Sequence, residues 1–122
     1  MLEFVSTLMG SHIKPLFTSP AKWQIYAIIG KATMVSNDTI GCHKSNNDVR
    51  VAVYHCHHID NSIVRVVPLM GDDGLALRVY SVCHMNTSSW NPSHLVFQIL
   101  KAKPGVPVCH FLTTDDIVWV KE

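Results

Sequence analysis

The sequence predicts a β-rich α+β fold, with a short N-terminal helix followed by an antiparallel sheet. Near-helical spacing of core-type positions occurs at the start of the chain, at Leu2, Val5, Leu8, Met9 and His12. The later chain is mostly short segments rich in β-branched residues, several of them alternating, separated by turn residues. A length of 122 residues corresponds to one domain or part of one.

The first half of the chain predicts the following segments in order. "LEFVSTLMGSH" is a short amphipathic helix and "KPLFTSP" a loop punctuated by proline. "KWQIYAIIGKATMV" alternates at its start and predicts one or two strands with a break near Gly30. "SNDTIGCHKSNND" is rich in turn-forming residues.

The clearest strand signal is "VRVAVYHCHHI". Alternation places Val51, Val53, His55 and His57 on one face, and Ala52, Tyr54, Cys56 and His58 on the other. After it, "SIVRVVPLM" and "LALRVYSVCHM" are predicted to be two strands that flank the turn "GDDG". "NTSSWNPSH" is predicted to be a loop, and "HLVFQILKAK" a strand or a helix. "PGVPVCHF" is an extended segment, and "DIVWVKE" is the final strand.

Composition excludes some functions and leaves the cell compartment open. The net charge of +1 and the lack of a Lys/Arg stripe argue against a nucleic-acid binder. No apolar run approaches the ~20 residues that span a bilayer, so no membrane span is expected. The N-terminus carries Glu3 and no positive region, so no signal peptide is expected in this chain. An even number of cysteines and sequons at Asn37 and Asn86 nevertheless fit a secreted protein.

Each of the four cysteines is followed directly by histidine, which chance explains poorly. The dipeptides are Cys42-His43, Cys56-His57, Cys83-His84 and Cys109-His110. Their separations are too long for the cysteine knuckles of zinc fingers or for a thioredoxin-like redox motif.

Strand geometry predicts different roles for the cysteine and the histidine of each dipeptide. Neighbouring residues in a strand point to opposite faces, so the cysteine and its histidine cannot easily serve one ion. The simplest arrangement turns the cysteines one way, as staples or core residues, and gathers the histidines on the other side. His55 and His57 share a face about 6.6 Å apart, close enough for two imidazoles to meet one metal.

The spacing of the four dipeptides resembles the signature of the plant BURP domain. "VPLMGDDG", "VCHMNTSSWNPSHLVFQILKAKPGVPVCHF" and "DIVWV" are similar to the C-terminal half of that domain. The first interval, of 12 residues, is slightly longer than the usual pattern. The resemblance implies that residues 1–122 form the C-terminal portion of a partial BURP domain, with the upstream half absent from the chain.

The resemblance also implies a metal and a ligand set. The expected ligands of copper are His43, His57, His84 and His110, and imidazole nitrogen suits Cu(II). An oxidising secretory route would make Cys42, Cys56, Cys83 and Cys109 disulfide or core residues. Four cysteines allow three pairings, and cysteines outside the chain are further candidate partners.

The functional hypotheses belong to different classes. The first is a secreted plant BURP protein of cell-wall, seed-development or stress biology, non-enzymatic as this fragment. The alternative is a copper-dependent peptide cyclase that oxidatively crosslinks Tyr or Trp side chains of a core peptide, and a third is a truncated product without function. The implied partners are a peptide substrate or a cell-wall component, and no catalytic residue is identified.

Other polar and aromatic residues receive ordinary structural roles. His55 is a candidate auxiliary ligand, whereas His12, His58 and His94 are expected to be exposed or hydrogen-bonded. Trp90 and Trp119 are expected at core or interface positions. Asp72-Asp73 is expected to form a turn, and Asp115-Asp116 to be a solvated pair before the last strand.

Overall fold

A computed structural model describes residues 1–19, 22–45 and 53–122 of the chain. It contains two helices and nine strands: α1 Leu2–Met9, β1 Ile13–Phe17, β2 Tyr26–Ile28, β3 Thr33–Ser36, β4 Thr39–Lys44, β5 Tyr54–His58, β6 Ser62–Gly71, β7 Ala76–His84, α2 Leu95–Leu100, β8 Val108–Phe111 and β9 Asp116–Lys121. The predicted β-rich α+β class is confirmed.

The strands form two antiparallel sheets. The first has the order β1-β9-β4-β5, and the second has the order β2-β6-β7-β8. β3 also pairs with β6, next to β2 along the same strand. The chain therefore alternates between the sheets: β1 lies in the first, β2 and β3 in the second, β4 and β5 in the first, β6 to β8 in the second, and β9 in the first.

The alternation of β9 shows how the layers stack. Val118 and Val120 are buried with Val64 and Val82 of the second sheet, so they form the core between the sheets. Trp119 points the other way and packs with Val5 and Met9 of α1. The fold therefore consists of α1 on the first sheet and the first sheet on the second.

The loop predicted for "KPLFTSP" is wrong, because its first four residues lie in β1. β1 pairs with β9, with Pro15 opposite Trp119. A proline cannot donate to a ladder, but β1 is at the edge of its sheet and has a neighbour on one side only. Leu16 is buried in the core and anchors the strand.

The turn predicted for "SNDTIGCHKSNND" is also wrong over much of its length. Thr39–Lys44 is a central strand, paired with β5 on one side and β9 on the other. Burial from Thr39 to Cys42 and two ladders outweigh the weak strand preference of its polar residues. The last part of the segment, from residue 46, lies outside the described residues.

The other strands follow the predictions. β5 corresponds to the end of "VRVAVYHCHHI", whose first four residues, 49–52, lie outside the described residues. "HLVFQILKAK" begins with α2, whose first turn is capped by the His94 Nδ1 atom accepting from the Val96 N–H. Among the described residues, no helix is long and apolar enough to cross a membrane.

Candidate metal centre

The two disulfides pin neighbouring strands at directly opposed residues. Cys42 pairs with Cys56 across β4 and β5, and Cys83 pairs with Cys109 across β7 and β8. These cysteines are register partners, with Cα atoms 4.0 and 3.9 Å apart. The structure thus selects one of the three possible pairings, and all four cysteines find their partners inside the chain.

Alternation then turns the following histidines toward the gap between the sheets. Cys42 packs on the α1 side of the first sheet, so the next residue, His43, faces the second sheet. His110 is opposite Val82, an inner core residue, and therefore shares its face. All four dipeptide histidines line one pocket of about 40 Å³: His43, His57, His84 and His110. The cysteines and the histidines therefore face opposite sides of their strands, as strand geometry predicts.

Within the pocket the imidazoles form two pairs. The Nε2 atoms of His43 and His57 are 3.1 Å apart, and those of His84 and His110 are 3.2 Å apart. His43 and His57 are diagonal neighbours across β4 and β5, since His43 is directly opposite His55. The rings of His55 and His57 lie 6.1 Å apart, and His55 is not among the pocket-lining residues. His57 therefore meets His43 rather than His55.

Three of the four rings are held through Nδ1. His43 Nδ1 lies 2.8 Å from Asp116 Oδ1, while the Nδ1 atoms of His57 and His110 lie 3.1 Å from the backbone oxygens of His58 and Phe111. A carbonyl oxygen only accepts, so Nδ1 carries the proton and donates. The neutral form of these rings then leaves the Nε2 lone pair directed at the pocket.

In this tautomer, a cation between the His43 and His57 rings would be stabilising. His43 and His57 would otherwise direct two lone pairs at each other across 3.1 Å. A proton on one ring, or a metal ion bound by both, removes that repulsion. Two imidazole nitrogens each about 2.0 Å from one ion are about 2.8 Å apart at a right angle and about 3.3 Å apart at the tetrahedral angle. The observed spacing fits both arrangements.

The four nitrogens do not yet form a single coordination sphere. Across residues 1–19, 22–45 and 53–122, no group of three or more His, Cys, Asp or Glu side chains is close enough to hold a metal. The structure therefore presents two two-nitrogen halves, one on each sheet, across a shared pocket.

His84 is the most enclosed of the four histidines, since it is half-buried whereas the other three are exposed. Burial, together with the neighbouring His110 and His57, lowers the pKa of His84. A lowered pKa keeps this imidazole neutral, which is the form that binds a metal. The Trp90 ring packs edge-on against it at 5.2 Å between centroids, which fixes the orientation of the His84 ring.

Two pocket residues escaped sequence analysis. The expectation that Asp116 is solvated is wrong, because it begins β9, lines the pocket and binds His43. The one feature that could have indicated Asp116 is its position at the start of β9, which pairs with the Cys42-His43 strand β4. Gly41 forms the floor, where a Cβ atom would lie 2.8 Å from Ile59 Cδ1.

The remaining predictions for individual side chains agree with the structure. Trp119 is buried in the core, His12 is exposed, and His58 is hydrogen-bonded to Asp38 and Asp60. Asp72 and Asp73 form a turn closed by Gly74 at φ 82°.

Comparison with known proteins gives the family. The BURP domain family matches residues 1–121. The chain is 41% identical to the BURP domain protein RD22 of Arabidopsis thaliana over 98% of its own length and 32% of that protein. It is 36% identical to BURP domain-containing protein 5 of Oryza sativa subsp. japonica, over 99% of the chain and 40% of that protein.

A third relative matches a shorter stretch more closely. BURP domain-containing protein BNM2C of Brassica napus is 46% identical over 68% of the chain and 30% of that protein. The chain thus spans about a third of the length of these relatives. On the family match and these identities, the chain belongs to the BURP domain family of plant proteins.

Proposed function

We propose that this BURP domain portion is a copper-binding, non-enzymatic module of a secreted plant protein. The observation that carries the proposal is the convergence of His43, His57, His84 and His110 on one pocket between the sheets. Their paired Nε2 atoms and donor-held Nδ1 atoms suit a metal that prefers imidazole nitrogen. A bound Cu(II) would supply a one-electron redox centre, which zinc does not.

The chain's own residues would hold the metal in an ordered way. Asp116 and two backbone carbonyls fix three of the rings, in the manner of the outer partners that orient metal-binding histidines. The apolar wall of Ile59, Val82 and Leu112 limits water around the ligands. A site that uses all four imidazoles would require the two pairs to move toward each other, because no three ligand side chains are close enough to hold a metal among the described residues.

The proposal that the protein is secreted rests on its two disulfide bonds. Both disulfides require an oxidising compartment to form and persist. The sequon asparagines Asn37 and Asn86 are exposed. The proposed setting in cell-wall, seed-development or stress biology rests on the family alone.

The first test is a copper titration of the 122-residue chain, followed by electron paramagnetic resonance. The eight histidines divide into two complementary sets, which gives a matched control. One variant replaces His43, His57, His84 and His110 with alanine, and the other replaces His12, His55, His58 and His94. We expect a stoichiometric axial Cu(II) signal with nitrogen couplings that only the first variant loses. Weak binding that is equal in both variants would contradict the proposal.

The two pairs can be separated by double variants. If both pairs share one ion, His43→Ala/His57→Ala and His84→Ala/His110→Ala should each change the nitrogen couplings of a single site. Trp90 fluorescence gives a second readout, because Cu(II) at His84 would quench a ring only 5.2 Å away. Quenching should disappear in Trp90→Phe. Trp23→Phe is the control, in which quenching should persist, because the replaced Trp23 side chain is fully exposed.

The peptide cyclase alternative needs an acceptor Tyr or Trp in a separate core peptide. Tyr26, Tyr54 and Tyr80 instead lie in β2, β5 and β7. Aerobic incubation of the chain with copper and candidate Tyr- or Trp-containing peptides tests it by mass spectrometry. A crosslink forms one bond with loss of two hydrogen atoms, which oxygen accepts. A product lighter by two hydrogens would favour the cyclase over a non-enzymatic module.

A further inference from the structure

The two disulfides lie in different surroundings. Cys42 is fully buried in the cluster between α1 and the first sheet, and Cys56 packs against the same cluster. Cys83 and Cys109 lie on the face of the second sheet that points away from the first sheet, because Cys83 follows the inward-facing Val82 and is opposite Cys109. The first disulfide is thus enclosed by apolar side chains, whereas the second lies on an outer face of the fold.

The two sulfur atoms of the second disulfide differ in access. Cys83 is 2% exposed, whereas Cys109 is exposed. The strand of Cys83, β7, lies between β6 and β8, and β8 is the end strand of the sheet among the described residues. Because exchange depends on which sulfur an attacking thiolate can reach, Cys109 is the sulfur open to attack from solvent.

The buried sulfur has a cationic partner. Arg65 of β6 donates from Nη1 to Cys83 Sγ at 3.1 Å. It is a diagonal neighbour of Cys83 on the same face of the sheet, since its register partner is Ser81. Cleavage that leaves the electron pair on Cys83 would place a thiolate beside the guanidinium, and a stabilised thiolate departs faster. The arrangement favours attack at Cys109 and departure of Cys83.

We propose that the Cys83–Cys109 disulfide is a thiol-exchange site, at which a small thiol of the glutathione class becomes attached to Cys109. The small thiol loses its proton to solvent, and its thiolate attacks Cys109 Sγ. A sulfur–sulfur bond forms to Cys109, the bond to Cys83 breaks, and the electron pair leaves on Cys83 Sγ beside Arg65. The small thiol is oxidised and Cys83 is reduced, so the step needs no other redox partner. It does not depend on copper binding.

Exchange at Cys109 would loosen β8. With the crosslink open, β8 is held in the sheet by its four-residue ladder to β7. His110 directly follows Cys109, and its Nε2 atom lies 3.2 Å from that of His84. The histidine pair on the second sheet would therefore respond to the small thiol, whereas the Cys42–Cys56 bond would keep the other pair in register.

The test treats the metal-free 122-residue chain with reduced glutathione under native conditions. Free thiols are trapped by alkylation, and mass spectrometry of the digested chain locates each adduct. We expect glutathione on Cys109, a free thiol at Cys83 and an intact Cys42–Cys56 bond, with faster amide hydrogen exchange at Val108–Phe111. Unfolding of the whole chain would open both disulfides alike, so this selectivity identifies a reaction of the folded protein.

Variants of the cationic partner complete the test. Arg65→Gln should slow exchange at Cys109 by about threefold to tenfold, and Arg65→Lys, which keeps the charge, should slow it less. Arg78→Gln is the matched control, because Arg78 lies on the opposite face of β7 from Cys83. Thermal unfolding checks that each variant is folded. The proposal is overturned if no exchange occurs, if Cys42–Cys56 opens as fast, if glutathione is found on Cys83, or if Arg65→Gln reacts like the unaltered chain.

Discussion

The His43–Asp116 contact shows how single residues complete the pocket. The carboxylate lies 2.8 Å from Nδ1 and is itself held by the Thr113 hydroxyl at 2.9 Å. A ring fixed at Nδ1 presents Nε2 in one direction only. In the proposed copper site, Asp116 would act on the metal through His43, as a positioning residue.

Replacing Asp116 with asparagine should weaken copper binding while leaving the fold intact. The loss of an outer carboxylate partner typically lowers metal affinity by about 10- to 100-fold. Competition titration of Asp116→Asn against a copper chelator measures the change. Asp115→Asn is the matched control, because Asp115 is exposed and does not line the pocket. Equal losses in both variants would mean that Asp116 does not orient His43.

His58 gives a pH-dependent contribution to stability. Hydrogen bonds that the His58 ring donates to Asp60 first and to Asp38 second raise the pKa of His58. Lys121 and His58, in that order, hold the pKa of the Asp38 carboxyl below its usual range. Because the pKa of folded His58 is raised, its stabilisation is fully present below the ordinary histidine pKa of about 6.5. The stabilisation is lost as pH rises through the higher folded value.

The measurement is urea unfolding of the chain and of His58→Gln at pH 5 to 8.5, with a chelator present. The difference in unfolding free energy between the two proteins should shrink as pH rises above about 6.5. The effect should be small, because the His58 side chain is 48% exposed and screened by water. His12→Gln serves as the control, and a difference independent of pH would refute the role of His58.

At the scale of elements, each sheet carries a hairpin-like strand pair locked by a disulfide. The bond between Cys42 and Cys56 fixes the register that brings His43 and His57 together. The bond between Cys83 and Cys109 does the same for the residues that follow them. A one-residue slip would turn the histidines to the other face. The covalent links therefore serve both stability and site geometry.

Removing one disulfide should affect both properties. The Cys42–Cys56 bond closes a 14-residue separation, for which chain entropy predicts a loss of about 3 kcal/mol in Cys42→Ala/Cys56→Ala. The Cys83–Cys109 bond closes 26 residues and should cost about 3.5 kcal/mol. Denaturant unfolding measures these losses, and resonance of the copper-loaded variants should show altered nitrogen couplings. Unchanged couplings would mean that the strand ladders alone hold the histidine pairs.

At the scale of the whole molecule, the pocket exists because two sheets pack together. Each sheet contributes one histidine pair, and the core beneath joins Leu16, Val118 and Val120 to Val64 and Val82. Separating the sheets would leave two isolated pairs on exposed strands. Sheet packing is therefore a condition for any four-histidine site.

Truncating the shared core should destabilise the fold strongly. Leu16 is 4% exposed and packs in the core between the sheets, so Leu16→Ala should cost about 2–5 kcal/mol. Leu95→Ala, at a 63% exposed position on α2, should change stability by less than about 0.5 kcal/mol. Equilibrium unfolding in urea distinguishes the two. Similar small effects would indicate that the sheets do not share a packed core.

Local patterns determined a large part of this protein. Alternation predicted β5, and strand segments around a turn predicted β6 and β7. Helical spacing predicted α1, and the Cys-His dipeptides indicated that cysteines and histidines face opposite ways. These are properties of a few neighbouring residues, because strand and helix periods are fixed by backbone geometry. A sequence alone can therefore state which residues share a face.

Tertiary structure alone decided which faces meet. Only long-range pairing makes Thr39–Lys44 a central strand and accepts Pro15 in an edge strand. It also selects the cysteine pairs, joins His43 to His57 diagonally, and carries Asp116 to His43 from 73 residues away. Register and sheet packing are set by ladder hydrogen bonds and a shared core between distant segments, and no local pattern encodes those partners.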